Sequence, residues 1–593
     1  MSGKAIVVLG VGCLLAASLS ADVRALDPAV PLRDLADNPA GAAFGFDGDL
    51  GESVFTDADW YYREDAEATV RAFRSVGARL VRQQRALSRF QGERATRLIR
   101  WEKDARAKRA DAARILDPKV KVSWTDPKNV FELYRKAGLK AILCLDRYAY
   151  DVRKDELTED PEVSAKAVGD FLRWIVANGY RDLVVGFEME NESYYRDNPE
   201  QYGARWRRIL PEMRRIWPDV KVGCSLPIYV DADPDLIAVR DRARAEMNLR
   251  DVISRHTPEY VNKSFYRQMT ALGDEITNVT HAIIHLYGAT QNFTCSYTGI
   301  LRARAMLKAF PMLAGRHFWI TEWRERSVED LTCQRAFRSS LWKATFLLMT
   351  LAQPDVDASC LHNTITHAGV FHQSDGAVWQ RCYERAWGFK RGKTNGPRPP
   401  EIRDTTGVGR RHLAVGAAGA MFSVVNPALD SRPLVLGYGS DHGFLASAKY
   451  YGQYHTLLPK KGVPVAGDTV WAAVAEKGLG SVALVAVNTR PKASSVEISV
   501  KGFRPGAKGC LRLVRCPDPA RIDELENPNE APPWTIEERE VAIAGPTIRL
   551  DVPRDAVAAL VVPGDAAHTP AKKAMAVSMS GVRESCSCSA NSR

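Results

Sequence analysis

The chain has 593 residues, of which 45% are hydrophobic and 26% charged, and its formal net charge is +11. This length exceeds what one ordinary hydrophobic core supports, so we expect a large domain and a smaller one. Beyond the N-terminus no apolar run reaches the roughly 20 residues that a helix needs to cross a bilayer, so no membrane span is predicted. The positive charge would suit an anionic partner, such as an acidic or sulfated polysaccharide.

Nucleic acid is the first alternative partner that the positive charge raises. The basic residues, however, alternate with acids along helical segments such as Arg100–Arg114, and no zinc-finger, P-loop or other nucleic-acid motif accompanies them. A solvated charged face is the preferred interpretation, and no nucleic-acid partner is predicted.

The first 25 residues have the composition of a secretory signal peptide. Met1–Lys4 supplies a positive charge and Ala5–Ala17 is apolar. Small residues suited to cleavage follow, at Ser18, Ser20, Ala21 and Ala25. We therefore expect a secreted or periplasmic protein. A lipoprotein attached through Cys13 is less favoured, because Gly10 stands where a bulky aliphatic residue is expected.

A unit repeats through the first part of the chain: an amphipathic helix, a glycine or Asn-Gly stop, and a short apolar β run. The runs end at Arg82, Leu145 and Glu188. This repetition predicts βα units around a buried parallel sheet. Eight such runs are found, the number that closes a barrel with a filled interior. Their markers are Phe44, Leu80, Leu143, Val184, Val222, Ile284, Trp319 and Cys360.

The predicted fold class is therefore α/β, a (β/α)8 TIM barrel over residues 41–462 followed by a C-terminal all-β sandwich domain. We expect Leu445–Leu458 to be the last barrel helix. After Val463, short alternating strands separated by turn residues predict the sandwich over residues 463–563. Residues 564–593 are small, polar and aperiodic, which is typical of a disordered tail.

Two apolar β runs end on glutamates. Leu183–Glu192 ends in a cluster of carboxylates, and His317–Trp323 ends on Glu322 with an aromatic residue beside it. Catalytic groups of a barrel enzyme lie at the carboxyl ends of its strands, so these acids are expected to face each other there. Two carboxyl groups about 5 to 5.5 Å apart would make a retaining glycosidase.

These two stretches carry a family resemblance. Phe187–Glu192 and Ile320–Trp323 resemble the strand-four and strand-seven motifs of glycoside hydrolase clan A. The whole layout, a barrel followed by a β-sandwich over roughly residues 41–563, is most similar to families 51 and 39. Those families contain the arabinofuranosidases and the xylosidases or iduronidases. The resemblance implies a retaining O-glycosyl hydrolase with a two-glutamate mechanism.

By this resemblance Glu192 is the general acid/base and Glu322 the nucleophile. Arg82 matches the clan's arginine beside the nucleophile. His285 and Tyr287 match its His-x-Tyr pair, in which Tyr287 would donate its hydroxyl to Glu322. Asn191 is expected to hydrogen-bond the sugar hydroxyl next to the anomeric carbon. Three aromatic residues are candidates for stacking against sugar faces: Trp323, Tyr194 and Tyr229.

Several of these residues also have a structural interpretation. Trp323 could belong to the core, Arg82 to a strand-end salt bridge, and His285 to the hydrogen-bonded barrel interior. Glu188 and Glu190 are expected in strand-end ion pairs and not in the chemistry.

The sequence departs from the family pattern at two places. Glu190 stands where those families usually have glycine before Asn-Glu, and Leu361–Asn363 replaces the usual tryptophan of strand eight. The same rim is rich in arginine, which would recognise a uronate or sulfate, although exposed ion pairs are slightly preferred. The arginines are Arg147, Arg324 and Arg326.

The cysteines and remaining histidines suggest no metal or cofactor. Cys295 and Cys333 follow neighbouring predicted strands, so a disulfide between them is one interpretation in an oxidising compartment. Three cysteines lie in apolar runs and are predicted to be packed thiols: Cys144, Cys224 and Cys360. Three histidines lack metal-ligand spacing: His362, His367 and His372.

The sequence therefore predicts a secreted retaining hydrolase of polysaccharides or oligosaccharides, with an arabinofuranosidase or xylosidase as first choice. A hydrolase of uronic-acid-containing or sulfated glycans is the second. A non-catalytic carbohydrate-binding protein on a barrel scaffold is the alternative from another class. The paired acids weigh against that alternative, because a binding cleft has no need for them.

Overall fold

The computed structural model describes residues 23–38, 45–47, 66–106, 115–117, 119, 124–195, 198–227, 258–288, 299–300, 303–308, 310–325, 337–362, 371–373, 413–440, 469–516 and 534–565. Residues 1–22 of the predicted leader, the predicted helix Leu445–Leu458 and residues 566–593 of the predicted tail lie outside these ranges. So do Tyr229, Cys295 and Cys333.

Eight parallel strands close into a barrel, as predicted. In chain order they are β3 (Gly45–Asp47), β4 (Leu80–Gln83), β5 (Lys140–Cys144), β8 (Val184–Glu188), β9 (Val222–Ser225), β10 (His281–Gly288), β11 (His317–Glu325) and β12 (Val356–Leu361). Each strand pairs with the next, and β12 pairs back onto β3. Every marker but Phe44 falls within its strand; Phe44 lies outside the described residues, one position before β3.

Apolar side chains fill the barrel interior. Trp319 is 1% exposed and packs among Leu80, Ile142 and Ile283. A Cβ on Gly186 would lie 2.4 Å from the Trp319 ring, so β8 needs a glycine where this large side chain crosses the barrel. The interior is thus a packed core and not a pore, as is usual for this architecture.

Helices surround the barrel and connect its strands. The described α-helices are α1 (Ala66–Ser75), α2 (Ala86–Gln91), α3 (Glu93–Arg106), α4 (Pro127–Ala137), α5 (Pro161–Ala177), α6 (Pro199–Ile216), α7 (Pro258–Leu272), α8 (Phe337–Leu351) and α9 (Ala417–Leu429). The start of α5 is clear from the sequence, because Asp160 accepts from the Glu162 and Val163 amides and Pro161 opens the helix. Gly138 ends α4 with a φ of 74°.

The helix α9 was not predicted. It is apolar on nearly all sides, which is typical of a helix buried between layers. Asn426 donates to the carbonyl of Val76, the residue just after α1. Arg512 of the C-terminal β-sheet domain donates to the Ser423 carbonyl. The helix therefore packs between the barrel and the β domain, which explains why it lacks the polar face of an ordinary barrel helix.

The β domain consists of two sheets around one hydrophobic core. The larger sheet has the order β2 (Arg33–Asp34), β15 (Leu434–Ser440), β16 (Thr469–Ala475), β17 (Ser481–Asn488), β22 (Ala556–Pro563), β19 (Lys508–Arg515) and β20 (Thr535–Ala542). The smaller sheet has the order β1 (Arg24–Leu26), β18 (Ser494–Val500) and β21 (Ile548–Val552). Two short pairs lie apart: β6 (Ala149–Asp151) with β7 (Glu156–Thr158), and β13 (Phe371–Gln373) with β14 (Leu413–Val415).

Three strands of these sheets come from outside residues 463–563. The strand β15 lies within the predicted barrel range, yet it pairs antiparallel with β16. The strands β1 and β2 precede the barrel, and they pair with β18 and β15. The strands β1 and β2 have only three and two residues, too few to show a periodicity, and their partner strands lie hundreds of residues away, so no local pattern predicts them. The exact domain limits stay predictions.

Other sequence expectations concern thiols and membranes. Cys144, Cys224 and Cys360 are buried, as predicted for packed thiols. Cys510, on β19, is exposed, and Cys516, just after that strand, is buried. Of the helices in the described ranges, none combines the length and the apolar character needed to span a bilayer.

Candidate active site

The strands β4, β8, β10 and β11 bring the predicted site residues to the carboxyl-terminal part of the barrel. Arg82 is the third residue of β4, and Glu192 follows β8 by four positions. His285 lies on β10 and pairs in register with Glu322 of β11, where a bulge shifts the register. Side chains that are up to 240 residues apart in sequence thus meet at one end of the barrel.

Glu192 and Glu322 face each other beside His285. One carboxylate oxygen of each glutamate and a ring nitrogen of His285 all lie within 4.8 Å of one another. His285 Nδ1 is 3.1 Å from Glu192 Oε1 and 3.5 Å from Glu322 Oε2. The Glu192 side chain is 31% exposed and that of Glu322 is 6% exposed. One acid therefore opens to solvent, and the other lies deeper.

Arg82 is the centre of the deeper half of the site. Its guanidinium is fully buried and donates to both oxygens of Glu188, at 2.8 and 2.6 Å. It also donates to Glu322 Oε1 at 2.5 Å and to Asn191 Oδ1 at 2.8 Å. The strand-end salt bridge that the sequence allowed for Arg82 is therefore the same network as the site. Since Arg82 occupies the Asn191 oxygen, the NH2 group of Asn191 is the part that can donate to a sugar.

A second donor, Gln84, reaches the same oxygen of Glu322. Gln84 Nε2 lies 3.2 Å from Glu322 Oε1. Sequence reasoning missed this residue, since a glutamine just after a strand has no distinguishing pattern. Its spacing from Arg82 was the one available signal: alternate residues of a strand share a face, so a side chain two residues after Arg82 is expected on the same side as the Arg82 side chain.

Two acids act on the pKa of His285, and a threonine contacts its other ring nitrogen. Burial acts to lower its pKa, but the negative charge of Glu322 and the hydrogen bond to Glu192 outweigh burial, so the pKa of His285 is raised above its usual value. Its other nitrogen, Nε2, lies 3.2 Å from the hydroxyl of Thr321, which is fully buried. Nothing in the sequence around Thr321 distinguishes it as a site residue.

The structure describes the side chains of two of the four aromatic residues predicted for the site. Tyr194 is buried, and its hydroxyl donates to Glu192 Oε1 at 3.4 Å. Trp323 is 3% exposed and packs 4.4 Å from Phe346 between ring centroids, which favours the core interpretation. The backbone of Tyr287 belongs to β10, but its side chain lies outside what the structure describes, as does Tyr229. Their predicted roles stay predictions.

Three charged rim residues that the structure describes, Glu188, Glu190 and Arg147, form ion pairs as expected. Glu188 bonds Arg82, and Glu190 bonds Arg205 on α6. Arg147 donates to Glu159 at 2.7 Å, in agreement with the preferred ion-pair interpretation. The side chains of Arg324 and Arg326 lie outside the described part of the chain.

Asp146, two positions after β5, is a further acid on this rim, and no motif in the sequence points to it. Its carboxylate accepts from the Ser88 amide at 2.7 Å. Burial nevertheless raises the pKa of Asp146 from 3.8 to about 6. It therefore changes charge near neutral pH.

Glu192, His285 and Glu322 also form a group with the spacing of metal ligands. A metal would require a neutral imidazole, whereas the pKa of His285 is raised by the two acids. The guanidinium of Arg82, 2.5 Å from Glu322, would also repel a cation. The group therefore suits proton transfer and nucleophilic attack better than metal binding.

The chain combines a parallel barrel, two facing acids at the carboxyl end of that barrel and an attached β domain. Comparisons find the same fold in solved glycoside hydrolases. A thermostable family 51 α-L-arabinofuranosidase from Thermotoga petrophila RKU-1 has a TM-score of 0.51 and 12% identity, over 91% of this chain and 99% of that one. A family 51 α-L-arabinofuranosidase from Bifidobacterium longum has a TM-score of 0.52 with the same identity and coverage.

A family 39 enzyme from Xanthomonas axonopodis pv. citri has a TM-score of 0.46 and 12% identity, over 92% of this chain and 98% of that one. No family model matches the sequence, and a search of the curated proteins finds no match. At 12% identity the likeness to solved structures concerns the fold. The predicted resemblance to clan A is confirmed at that level.

Proposed function

We propose that the protein is a secreted retaining glycoside hydrolase that cleaves O-glycosidic bonds of polysaccharides or oligosaccharides. The observation that carries the proposal is the proximity of Glu192 and Glu322, with oxygens within 4.8 Å at the carboxyl end of the barrel. Retaining enzymes hold their carboxyl groups about 5 to 5.5 Å apart, whereas inverting enzymes need about 6.5 to 9.5 Å to admit a water.

In the first step Glu322 attacks the anomeric carbon and the bond to the leaving-group oxygen breaks. Glu192 gives its proton to that oxygen, so the leaving group departs as a neutral alcohol. The sugar is then bound to Glu322 as an ester. In the second step Glu192 takes a proton from water, the water oxygen attacks the anomeric carbon, and Glu322 is released as a carboxylate.

The neighbours of the two acids support this division of roles. Arg82 and Gln84 both donate to Oε1 of Glu322, which compensates the charge that a nucleophile must hold. The more exposed Glu192 lies where a leaving group and a water could reach it. His285 bridges the two and can hold a proton between them.

An arabinofuranosidase or xylosidase activity is the preferred specificity. Two similar solved structures above a TM-score of 0.5 are α-L-arabinofuranosidases. The alternative, an anionic glycan, depended on free rim arginines, and Arg147 is engaged by Glu159. Neutral pentosides are therefore the first substrates to test.

A panel of aryl glycosides and intact polysaccharides tests the function, with the anomeric configuration of the first product read by NMR. We expect hydrolysis of a pentoside with retention. The variant Glu322→Gln should keep the fold, judged by circular dichroism, and lose activity. Asp355→Asn is the control, because Asp355 pairs with Arg304 at the opposite end of the barrel. Full activity of Glu322→Gln would refute the assignment, and binding of glycans without turnover would favour the non-catalytic alternative.

Secretion has its own test. Arg24 begins β1 and stacks over Trp471 at 4.8 Å, so cleavage after residue 25 would remove part of a strand. We propose cleavage between Ala21 and Asp22, after small residues, which leaves β1 whole. N-terminal sequencing of the exported protein should give Asp22 first. An intact Met1 on protein from outside the cytoplasmic membrane would contradict this proposal.

A further inference from the structure

The loop that carries Glu192 has an unusual backbone. Glu190 has a φ of 74° and Glu192 a φ of 47°, in the left-handed region that residues with a side chain seldom adopt. Glycine would adopt this conformation freely at position 190. A glutamate there persists only if its surroundings hold it in place.

The side chain of Glu190 is held by α6. It is 3% exposed, and its Oε1 accepts from Arg205 Nη2 and, at 3.1 Å, from Trp206 Nε1. Arg205 is equally buried and also donates to the carbonyl of Asp146, at 3.3 Å, in the loop after β5. A single ion pair thus connects the helix α6 with the ends of two neighbouring barrel strands.

Further hydrogen bonds fix the backbone on both sides of Glu192. Before it, Ser225 Oγ donates to the Glu190 carbonyl at 2.9 Å, and the Tyr202 hydroxyl donates to the Met189 carbonyl at 3.1 Å. After it, Gln268 Nε2 on α7 donates to the Ser193 carbonyl at 2.6 Å. The side chains next to Glu192 are held as well, Asn191 by Arg82 and Ser193 by Gln268. The buried carboxylate of Glu190 adds a charged anchor two residues before Glu192, at the first of the two left-handed backbone positions.

We propose that Glu190 and Arg205 are positioning residues that hold the acid/base Glu192 in its working orientation. This inference rests on the proposed function and deepens it. Neither residue lies within hydrogen-bond distance of Glu192 in the described structure, so both act through the backbone. A glycine at position 190 would leave the backbone free to change conformation, whereas the buried ion pair of Glu190 with Arg205 fixes it.

The test separates loss of acid catalysis from loss of fold. Glu190→Ala and Arg205→Met are assayed on two aryl glycosides of the same sugar, one with a dinitrophenolate and one with a phenolate leaving group. The first departs without a proton, and the second needs one. We expect kcat/KM to fall on the order of 100-fold for the phenyl glycoside, the lower end of what a general acid contributes, and only slightly for the dinitrophenyl glycoside.

Two further variants control for stability. Glu190→Gln keeps an acceptor for Trp206 and should restore much of the activity on the phenyl glycoside. Arg304→Met removes the bidentate ion pair with Asp355, at 2.7 Å, far from the site. It should lower the melting temperature and leave the ratio between the two substrates unchanged.

The outcomes are distinct. Equal losses on both substrates in Glu190→Ala and Arg205→Met, or no loss on either substrate in these two variants, would overturn the positioning role while the wild-type protein remains a glycosidase. If the wild-type protein turns over no glycoside, the proposed function fails and the positioning role fails with it. If Glu190→Ala does not fold, the ratio of the two rates in Arg205→Met decides.

Discussion

The amide of Gln84 allows a quantitative test of how Glu322 works. Gln84 Nε2 and Arg82 Nη1 donate to the same oxygen, Glu322 Oε1, at 3.2 and 2.5 Å. In the proposed mechanism Glu322 loses its negative charge when the glycosyl ester forms and regains it when the ester breaks. A donor to Oε1 therefore favours the second step, in which the carboxylate is the leaving group.

The variant Gln84→Met keeps the length of the side chain and removes the donor. A hydrogen bond to a charged group contributes about 1.5 to 3 kcal/mol, and about 1.4 kcal/mol corresponds to a tenfold change in rate. Because the Gln84 distance of 3.2 Å is long and Arg82 still donates, we expect the lower figure. Breakdown of the ester should slow about tenfold, whereas its formation should not.

Stopped-flow kinetics with an activated aryl glycoside would show a burst of phenol followed by a slow steady state. Intact-protein mass spectrometry would show an adduct of one sugar. Gln83→Met is the matched control, because the amide of Gln83 donates to the Gln84 carbonyl at 2.9 Å and has no hydrogen bond to Glu322 in the described structure. Wild-type kcat in Gln84→Met, with no adduct, would show that this amide does not assist the carboxylate.

Three other predictions concern pH and the acid/base. The pKa of Asp146 is raised from 3.8 to about 6, so its contribution to stability is present below pH 3.8 and is lost as pH rises through 6. Asp146→Asn should therefore increase the free energy of unfolding at pH 8 by up to about 3 kcal/mol and leave it unchanged at pH 4, which thermal unfolding at the two pH values would measure. The pKa of His285 is raised from 6.5, so its contribution is present below that value and lost above the higher one; thermal unfolding of His285→Asn should show a deficit at pH 5.5 that shrinks at pH 9. In Glu192→Ala, azide should restore turnover of an activated glycoside and give a glycosyl azide of retained configuration, whereas absence of rescue would contradict the acid/base role.

The barrel could be predicted because its strands leave a strong local pattern. Runs such as Leu139–Leu145 and Leu183–Glu188 are apolar on both faces, since a parallel sheet of a barrel is covered by helices outside and filled inside. The glutamates at the ends of two such runs marked the carboxyl end. Arg82 and His285 were identified through the resemblance to clan A. In the structure each has the hydrogen-bond partners that a polar residue inside a buried strand needs.

The supporting residues could not be predicted, because their role depends on contacts between distant segments. Arg205 lies among other charged residues of α6, where an arginine is normally solvated, yet it is 1% exposed. Thr321 and Gln84 are neutral residues beside the recognised motifs, and nothing in their spacing shows which atom they bond. The strand β1 has only three residues and acquires its meaning from β18.

The balance of charge in the site favours a catalyst over a binding scaffold. Glu188 and Glu322 share one guanidinium, that of Arg82, and all three side chains are at most 6% exposed. Among the residues that the structure describes, these two carboxylates are buried against one guanidinium, which is unfavourable, and apolar residues would make a more stable core. The negative charges of Glu322 and Glu192 raise the pKa of His285, because a proton on its ring offsets part of that negative charge. A cleft that only binds sugars can use aromatic faces and neutral amides, so it gains nothing from this arrangement. In the proposed mechanism Glu322 loses its negative charge when the ester forms and regains it when the ester breaks, so the groups around Glu322 can act on both steps.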